Sequence, residues 1–202
     1  MEGTNNHVEL CGSPAGRPDF SHAGGGEDFF TFPLEIERLS GACDRINIIA
    51  RGSTLRDLEI AEDGASLSVT GELRSYNNKR GEGSRLVITA LARELSFSGA
   101  EHKNIVELAG VLCKKPTLRR TPMGRQICDL MLAAPRRYGR SDYLPCIAWG
   151  RLAEEASELD VGDRIALEGR IQSRKYIKAE NGEPHERTAF EISIVTMDTN
   201  PE

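Results

Sequence analysis

The sequence predicts an all-β protein that consists of two copies of one small domain, each with one short helix. Short segments alternate apolar and polar residues with the period of two that half-buried strands show. A pronounced turn signal, Asn181-Gly182, lies between two of these segments. Residues 8–12 (Val-Glu-Leu-Cys-Gly) also recur as residues 106–110 (Val-Glu-Leu-Ala-Gly), at an offset of 98 residues. Together these observations predict a tandem repeat of a strand-rich domain.

The repeat extends over both halves of the chain. Asp44 and Gly71 recur as Asp142 and Gly169 at the same offset. The 202 residues are sufficient for two domains of about a hundred residues, each able to bury a core. We expect the first domain over residues 1–98 and the second over residues 103–197, because Gly99 interrupts the strand pattern between them.

The first copy begins with a strand at residues 8–10. Residues 12–26 are rich in Gly, Pro and Ser, which predicts a loop or a mobile excursion. Residues 29–39 alternate, with Phe30 and Phe32 on the side that faces the core, and residues 45–50 continue the sheet. Residues 54–60 predict a short capped helix, and residues 67–75 and 85–92 a hairpin. The hairpin loop holds Lys79 and Arg80, which either contact phosphate or belong to a solvated turn.

The second copy begins with strands at residues 105–112 and 126–134, joined by a basic turn at residues 116–124. Residues 143–149 form the next strand. Residues 150–159 predict a helix because Leu152, Ala153, Ala156 and Leu159 fall on one face at helical spacing. Residues 169–176 and 190–195 complete the sheet, and residues 196–202 show no pattern.

Rings and basic groups share one side of two of these strands. Tyr143 and Trp149 have the same parity, and Arg170, Gln172, Arg174 and Tyr176 all point one way. A surface of rings and guanidinium groups suits an unpaired nucleic-acid strand, since bases stack on the rings while cations follow the phosphates. The alternative is that Trp149 belongs to the core and that the basic side chains are an ordinary solvated face.

The formal net charge of −5 argues at first against a polyanionic partner. The excess of acidic residues lies in the first hundred residues, and the second half is balanced. Between positions 113 and 140 only Asp129 opposes a basic cluster, and local potential rather than total charge governs phosphate affinity. The cluster consists of Lys114, Lys115, Arg119, Arg120, Arg125, Arg136, Arg137 and Arg140.

Catalytic, metal and cofactor motifs are not found in the sequence. The five cysteines are scattered and never spaced C-x-x-C, and the four histidines are isolated, so we expect reduced thiols and no metal site. Residues 24–26 (Gly-Gly-Gly) lack a Walker lysine, and His185-Glu186 lacks the second histidine of a zinc-protease motif. We therefore expect a binding protein with no cofactor rather than an enzyme. No apolar run reaches membrane-spanning length and no leader opens the chain, which favours the cytoplasm.

Residues 104–195 resemble the bacterial single-stranded DNA-binding protein family. Matching segments occur in family order and spacing: residues 104–110, Pro116, Leu118, Arg119, Thr121, Gly124, residues 128–133, 143–150, 152–154, 162–163 and 168–176. The resemblance implies that each copy is a five-stranded OB-fold barrel, so the chain is expected to hold two in tandem. The first copy is the degenerate one, because Arg51-Gly52 stands where the second has Trp149-Gly150.

The resemblance also implies the residues that bind nucleic acid. Aromatic residues occupy the four places at which the family stacks bases: Tyr138, Tyr143, Trp149 and Tyr176. The family's basic positions hold Arg119, Arg136, Arg137, Arg174 and Lys175, and Gln172 stands where a basic residue is common. We add Arg120 from the basic cluster and Arg170 from the shared strand face.

The implied function is to coat and protect single-stranded DNA in replication, recombination and repair, without strong sequence preference. Four barrels are the usual assembly of the family, so two per chain imply a homodimer. The sequence shows neither the glycine-rich linker nor the acidic tip that recruits replication and repair proteins in the family, and the acidic first copy is an alternative surface for such contacts. Two other functions stay open: a protein-interaction module of a replication or mobile-element complex, and a single-stranded RNA binder.

Overall fold

The computed structural model describes residues 5–56, 65–78, 85–98, 101–180 and 183–201. The chain separates into two compact units. One unit comprises residues 7–74 and 88–105, and the other comprises residues 106–202 together with the described parts of residues 1–6 and 75–87. The second unit thus includes a segment of the first repeat as well as the second repeat from Val106 onward.

Within the described residues, the first repeat has six strands and one short helix. The strands are β1 (Asn6–Pro14), β2 (Asp19–Gly24), β3 (Glu27–Glu37), β4 (Cys43–Arg51), β5 (Ser66–Asn77) and β6 (Leu86–Ser98), and α1 spans Gly52–Arg56. Five of these strands close on themselves in the order β1-β3-β4-β6-β5, because β1 pairs with both β3 and β5. Strand β2 is an added hairpin partner of β3.

The second repeat has the same arrangement. Its strands are β7 (Lys103–Leu112), β8 (Thr117–Arg120), β9 (Gln126–Pro135), β10 (Ser141–Trp149), β11 (Arg164–Glu180) and β12 (Glu183–Asp198), and α2 spans Arg151–Ser157. Strand β7 pairs with β9 and β11, which closes the order β7-β9-β10-β12-β11, and β8 is added beside β9. The prediction of two tandem five-stranded barrels with one short helix each is confirmed.

The interiors follow from the alternation of residues along the strands. In β3, Phe32, Leu34 and Ile36 are almost fully buried, as the sequence predicted, whereas Phe30 is half-buried and meets Phe20 edge-on. In α2, Ala153 and Ala156 are buried, which turns one side of this helix to the core. The helix is shorter than the predicted residues 150–159.

Three parts of the sequence-based assignment are wrong. The basic turn predicted at residues 116–124 contains the strand β8, which pairs with β9. Residues 12–26 are not a loop: β1 continues to Pro14, and β2 pairs with β3. The glycines that suggested a loop serve instead as a tight hairpin turn, in which Gly25 and Gly26 have φ values of 62° and 81°. Residues 196–202 are not patternless throughout, because β12 continues to Asp198 and Ala166 pairs with Asp198.

Other predicted features lie outside the described residues. They are the loop cations Lys79 and Arg80, the turn Asn181-Gly182, the junction at Gly99 and the end of the predicted helix at residues 57–60. Among the described helices, no segment has the length and apolar character needed to cross a membrane.

Candidate nucleic-acid interface

Strand β10 turns two rings to its exposed side. Tyr143 is 51% and Trp149 38% exposed, whereas Leu144, Cys146 and Ala148 between them are buried. This is the alternation expected when one face of a strand packs on a core. Trp149 therefore lies on the surface of the barrel and not within it.

The neighbouring strands extend this face through their register. Ile127 of β9 pairs with both Trp149 and Arg119, so these three side chains lie on the same side. On the other flank of β10, Ile147 pairs with Ser193 of β12, and Ser193 pairs with Arg170 of β11. The aromatic–basic face, as we call it, comprises Arg119, Tyr143, Trp149, Arg170, Gln172, Arg174 and Tyr176. Strand pairing thus brings seven of the predicted residues together.

Two carboxylates hold arginines on this face. Asp129 accepts hydrogen bonds from Nε and Nη2 of Arg119, the latter at 3.0 Å. The hydrogen bond with Asp129 raises the pKa of the Arg119 guanidinium, so Arg119 is charged at any physiological pH. Glu191 lies 3.5 Å from Nε of Arg174. Both arginine side chains are about half exposed, at 45% and 56%, and a phosphate group can reach them.

Arg136, which the sequence predicts to contact phosphate, binds a buried carboxylate instead. Its guanidinium donates two hydrogen bonds to the carboxylate of Asp142, which is fully buried, and a third to the carbonyl of Ser75 at 3.1 Å. In the first repeat, Arg38 binds Asp44 in the same bidentate manner, with distances of 2.6 and 2.5 Å. Both members of this ion pair recur at the repeat offset: Arg38 recurs as Arg136, and Asp44 recurs as Asp142. The sequence analysis compared only the two aspartates and therefore missed the pair.

The turn between β9 and β10 presents a ring and two cations. Tyr138 is 97% exposed and has a left-handed φ of 63°, a conformation that is uncommon for a residue other than glycine. Its neighbours Arg137 and Arg140 are exposed and have no ion pair within the described residues. Sequence reasoning included Arg137 and Tyr138 but left Arg140 in the general basic cluster.

Two predicted cations lie on the opposite side of their strands. Arg120 pairs with Gln126 at the end of β8, one position out of phase with Arg119. Lys175 alternates with Arg174 and Tyr176 and forms a 2.9 Å ion pair with Glu186. The parity of β8 and β11 therefore separates both residues from the aromatic–basic face.

Ser75 is a contact that sequence reasoning missed. Its N–H donates to Asp142, its hydroxyl accepts from the N–H of Tyr143 at 2.7 Å, and its carbonyl accepts from Arg136. These hydrogen bonds fix the positions of Asp142 and Tyr143 at the start of β10. No local pattern marks Ser75, because its partners are more than sixty positions away in the sequence.

The corresponding face of the first repeat has a different set of side chains. Arg51 takes the place of Trp149, and the residue in register with Arg51 is Phe29. The Phe29 ring stacks on His22 with a centroid distance of 4.8 Å. In the first repeat the ring thus lies on β3, next to the strand β4 that corresponds to β10, whereas in the second repeat the ring of Trp149 lies on β10 itself.

Comparisons with known proteins agree with this geometry. A profile described as "Single-strand binding protein family" matches residues 103–199. The single-stranded DNA-binding protein of Thermus aquaticus is 29% identical over 92% of this chain and 81% of its own length. That of Clostridium tetani is 38% identical over 80 residues, which cover 36% of this chain and 55% of the relative.

The matched part spans about half the length of the relatives from Clostridium tetani and Listeria innocua, 55% and 50% respectively. Among solved structures, a deletion mutant of the Thermus aquaticus single-stranded DNA binding protein superposes with a TM-score of 0.77 at 25% identity. That superposition covers 98% of this chain and 95% of the other, so the likeness includes both repeats.

Proposed function

The chain belongs to the single-strand binding protein family, and from that premise we propose that it coats single-stranded DNA without strong sequence preference. The observation that supports this proposal is the exposure of Tyr143 and Trp149 on a face that also carries arginines. Stacking on aromatic side chains accepts any base, because every base has a π-face, and contributes about 1–3 kcal/mol per base. This face suits a flexible unpaired strand.

The phosphates follow the cations beside the rings. Arg137 and Arg140 near Tyr138, and Arg170 on β11, have no ion pair within the described residues and are ready to bind phosphate. Arg119 and Arg174 exchange part of their contact with Asp129 and Glu191 for contact with phosphate. Neutralising phosphates releases counterions, so affinity falls as salt rises.

Arg136 is not part of this phosphate path. Its guanidinium already binds the buried Asp142, and removing it would leave that carboxylate without its bidentate, charged partner. Arg120 and Lys175 lie on the other side of their strands and contribute long-range attraction rather than direct contact with stacked bases.

The assembly that we propose is a homodimer with four barrels, located in the cytoplasm and active in replication, recombination and repair. Sedimentation velocity of the free protein tests the dimer. Twice the chain mass of 22.2 kDa is expected, and a monomer or a larger ring would contradict the proposed assembly.

Competition between nucleic acids tests the proposed function. A fluorescent oligo-dT is bound first, and unlabelled single-stranded DNA, RNA of the same sequence or the matching duplex is then added. Single-stranded DNA should displace the probe at the lowest concentration, since the duplex hides its bases from stacking. Displacement by RNA at a lower concentration than by DNA would show an RNA binder, and displacement by duplex alone would contradict the proposal.

A further inference from the structure

The hairpin that joins β8 to β9 carries an apolar side chain at its tip. Met123 lies in the turn between these strands and is 83% exposed. A single exposed apolar side chain is common on protein surfaces and indicates nothing by itself. The shape of this turn, its place beside the aromatic–basic face and its charged neighbours give Met123 a more specific meaning.

Hydrogen bonds hold the tip of the hairpin in one shape. The N–H of Thr121 donates to the carbonyl of Arg125 at 2.9 Å, and the N–H of Gly124 donates to the carbonyl of Thr121 at 2.8 Å. The hydroxyl of Thr121 accepts from the N–H of Arg125 at 3.1 Å. Gly124 closes the turn with a φ of 81°, which glycine adopts without strain. A ligand that contacts Met123 therefore has little of the turn left to order.

The hairpin starts at the end of the aromatic–basic face that Trp149 occupies. Ile127 of β9 pairs in register with Trp149. The carbonyl of the preceding residue, Gln126, accepts from the N–H of Gly150 at 3.0 Å. Residues 121–125 thus continue outward from a position beside the indole. A DNA strand that stacks on Trp149 enters or leaves the face at this hairpin.

Two cations flank the tip. Arg120 is the last residue of β8, Arg125 follows the turn, and both side chains are exposed. Neither has an ion pair within the described residues, whereas Arg119 is already bound to Asp129. Guanidinium groups bind phosphate with two parallel hydrogen bonds. A duplex carries one charge per about 1.7 Å of its axis, twice the density of one strand, so it suits a pair of free cations.

A duplex cannot follow an unpaired strand along the aromatic–basic face, because its paired bases are stacked on one another and hidden from the rings. Where an unpaired strand joins a duplex, the first base pair therefore stops at the end of the face. That base pair presents a flat π surface with no stacked neighbour on one side. The thioether of methionine packs favourably against aromatic rings. An apolar tip between two cations thus matches the end of a duplex.

We infer that Met123 packs against the terminal base pair of a duplex that borders the bound single strand, while Arg120 and Arg125 bind phosphates of that duplex. This inference rests on the proposed function. It adds a second ligand feature, the junction between single-stranded and double-stranded DNA, to the coating of an unpaired strand.

Binding to tailed duplexes tests the inference. One probe is a dT tail of about ten nucleotides, within the range that one OB-fold covers. The others join this tail, by its 5′ or its 3′ end, to a stem whose far end is closed by a non-nucleotide linker. We expect the full-length protein to bind one of the two tailed stems more tightly than the tail alone. Met123→Ser should weaken binding to that stem about fivefold, the effect of one lost sulfur–aromatic contact, and leave binding to the tail unchanged.

Met123→Leu and Val161→Ser are the controls. Leucine keeps an apolar side chain at the tip, so Met123→Leu should lose less than Met123→Ser. Val161 is 57% exposed in a different turn, between α2 and β11, so Val161→Ser removes a comparable exposed apolar side chain and should bind the tailed stem like the original protein.

Equal binding to the tail and to both tailed stems would overturn the inference. It would also be overturned if Met123→Ser bound the preferred tailed stem as tightly as the original protein. Melting curves show whether each variant is folded, and if Met123→Ser is not, the comparison of probes on the original protein decides. A protein that binds no oligo-dT of any length would instead contradict the proposed function.

Discussion

At the scale of single residues, exposure on one strand separates the binding groups from the structural ones. Asp142 and Tyr143 are neighbours in β10, yet Asp142 is fully buried while half of the Tyr143 side chain is exposed. Alternation of side chains along a strand produces this difference. The same rule places Trp149 on the outer side and Ala148 in the core.

Removing the ring of Trp149 should weaken binding without weakening the fold. We expect Trp149→Ala to lower the affinity for oligo-dT by about 1–3 kcal/mol, the typical contribution of one stacked base. Trp149→Phe retains a ring and should lose less. Fluorescence anisotropy measures the affinity and circular dichroism the melting temperature. A melting temperature that falls steeply in Trp149→Ala would assign the indole to the core instead.

Arg136→Met should act on stability. The substitution leaves the buried carboxylate of Asp142 without its bidentate partner, and breaking a buried ion pair typically costs about 3–5 kcal/mol. Urea denaturation measures the free energy of unfolding. The double variant Arg136→Met with Asp142→Leu removes both charges and should regain part of the loss. A single variant as stable as the original protein would show that Arg136 has no structural role.

Arg137 and Arg140 should act on binding alone. Replacing both with Gln removes two proposed phosphate contacts, and the slope of log affinity against log salt should become shallower by about 0.7 for each contact. Stability should stay the same, because neither side chain has an ion pair within the described residues. Titrations at four salt concentrations give the slope. The same slope in both proteins would place these arginines away from the DNA.

Sequence reasoning identified the exposed rings but not the role of Arg136. Tyr143 and Trp149 could be predicted because parity is a local property of a strand. The role of Arg136 depends on Asp142 and Ser75, and the sequence shows three neighbouring cations there without saying which one turns inward. In the sequence, the one indication that Arg136 differs from its neighbouring cations is that Arg38 and Asp44 recur at the repeat offset as Arg136 and Asp142.

At the scale of elements, the strands of each barrel approach one another at glycines that match across the repeat. A Cβ atom on Gly169 of β11 would lie 2.5 Å from the carbonyl oxygen of Ser193 in β12. On Gly71 of β5 it would lie 2.1 Å from the carbonyl oxygen of Leu91 in β6. Both contacts are too short for any other residue unless the backbone moves. This lack of space for a side chain explains why both repeats have glycine at the position of Gly71 and Gly169.

Gly169→Ala should destabilise the second barrel. Overpacking against backbone typically costs about 1–3 kcal/mol, and here the obstructing atom is a carbonyl oxygen that pairs in the sheet. Gly24→Ala is the control, because a Cβ there meets no atom closer than 3.8 Å. Thermal melting of both variants makes the comparison. Equal melting temperatures would show that the strands of the barrel separate easily at this position.

Sequence reasoning missed two added strands, β2 and β8, and for β2 the reason is composition. Residues 12–26 contain the Gly, Pro and Ser of a loop, yet the backbone pairs Asp19 with Thr31 and Ala23 with Asp28. Strand β2 is exposed along its whole length, so no alternation of buried and exposed residues marks it. The other barrel strands were predictable because each has a buried side.

At the scale of the whole molecule, the compact unit that holds most of the second repeat is not limited to residues 106–202. The described parts of residues 75–87 cluster with it, and Ser75 bonds to Arg136, Asp142 and Tyr143. The repeat offset predicted two domains from landmark residues. It did not predict that a segment of the first repeat would belong to the unit of the second, because long-range hydrogen bonds leave no periodic pattern in a sequence.

A fragment of residues 101–202 should therefore bind DNA but melt earlier than the full chain. It retains every residue of the aromatic–basic face, so most of the affinity per barrel should persist. It loses Ser75, and the N–H of Tyr143 then has no hydroxyl acceptor, which costs about 1–3 kcal/mol if the group stays buried. Melting curves and oligo-dT titrations of the fragment test both points. A fragment that is fully stable but does not bind would place the DNA site elsewhere.

The proposed function depends on contact between the indole of Trp149 and the bases of an unpaired strand. Titration of intrinsic tryptophan fluorescence with oligo-dT tests it most directly, because Trp149 is the only tryptophan in the chain. We expect saturable quenching whose midpoint moves to higher DNA concentration as salt is raised. Fluorescence that stays constant while an independent assay shows the DNA to be bound would contradict the account.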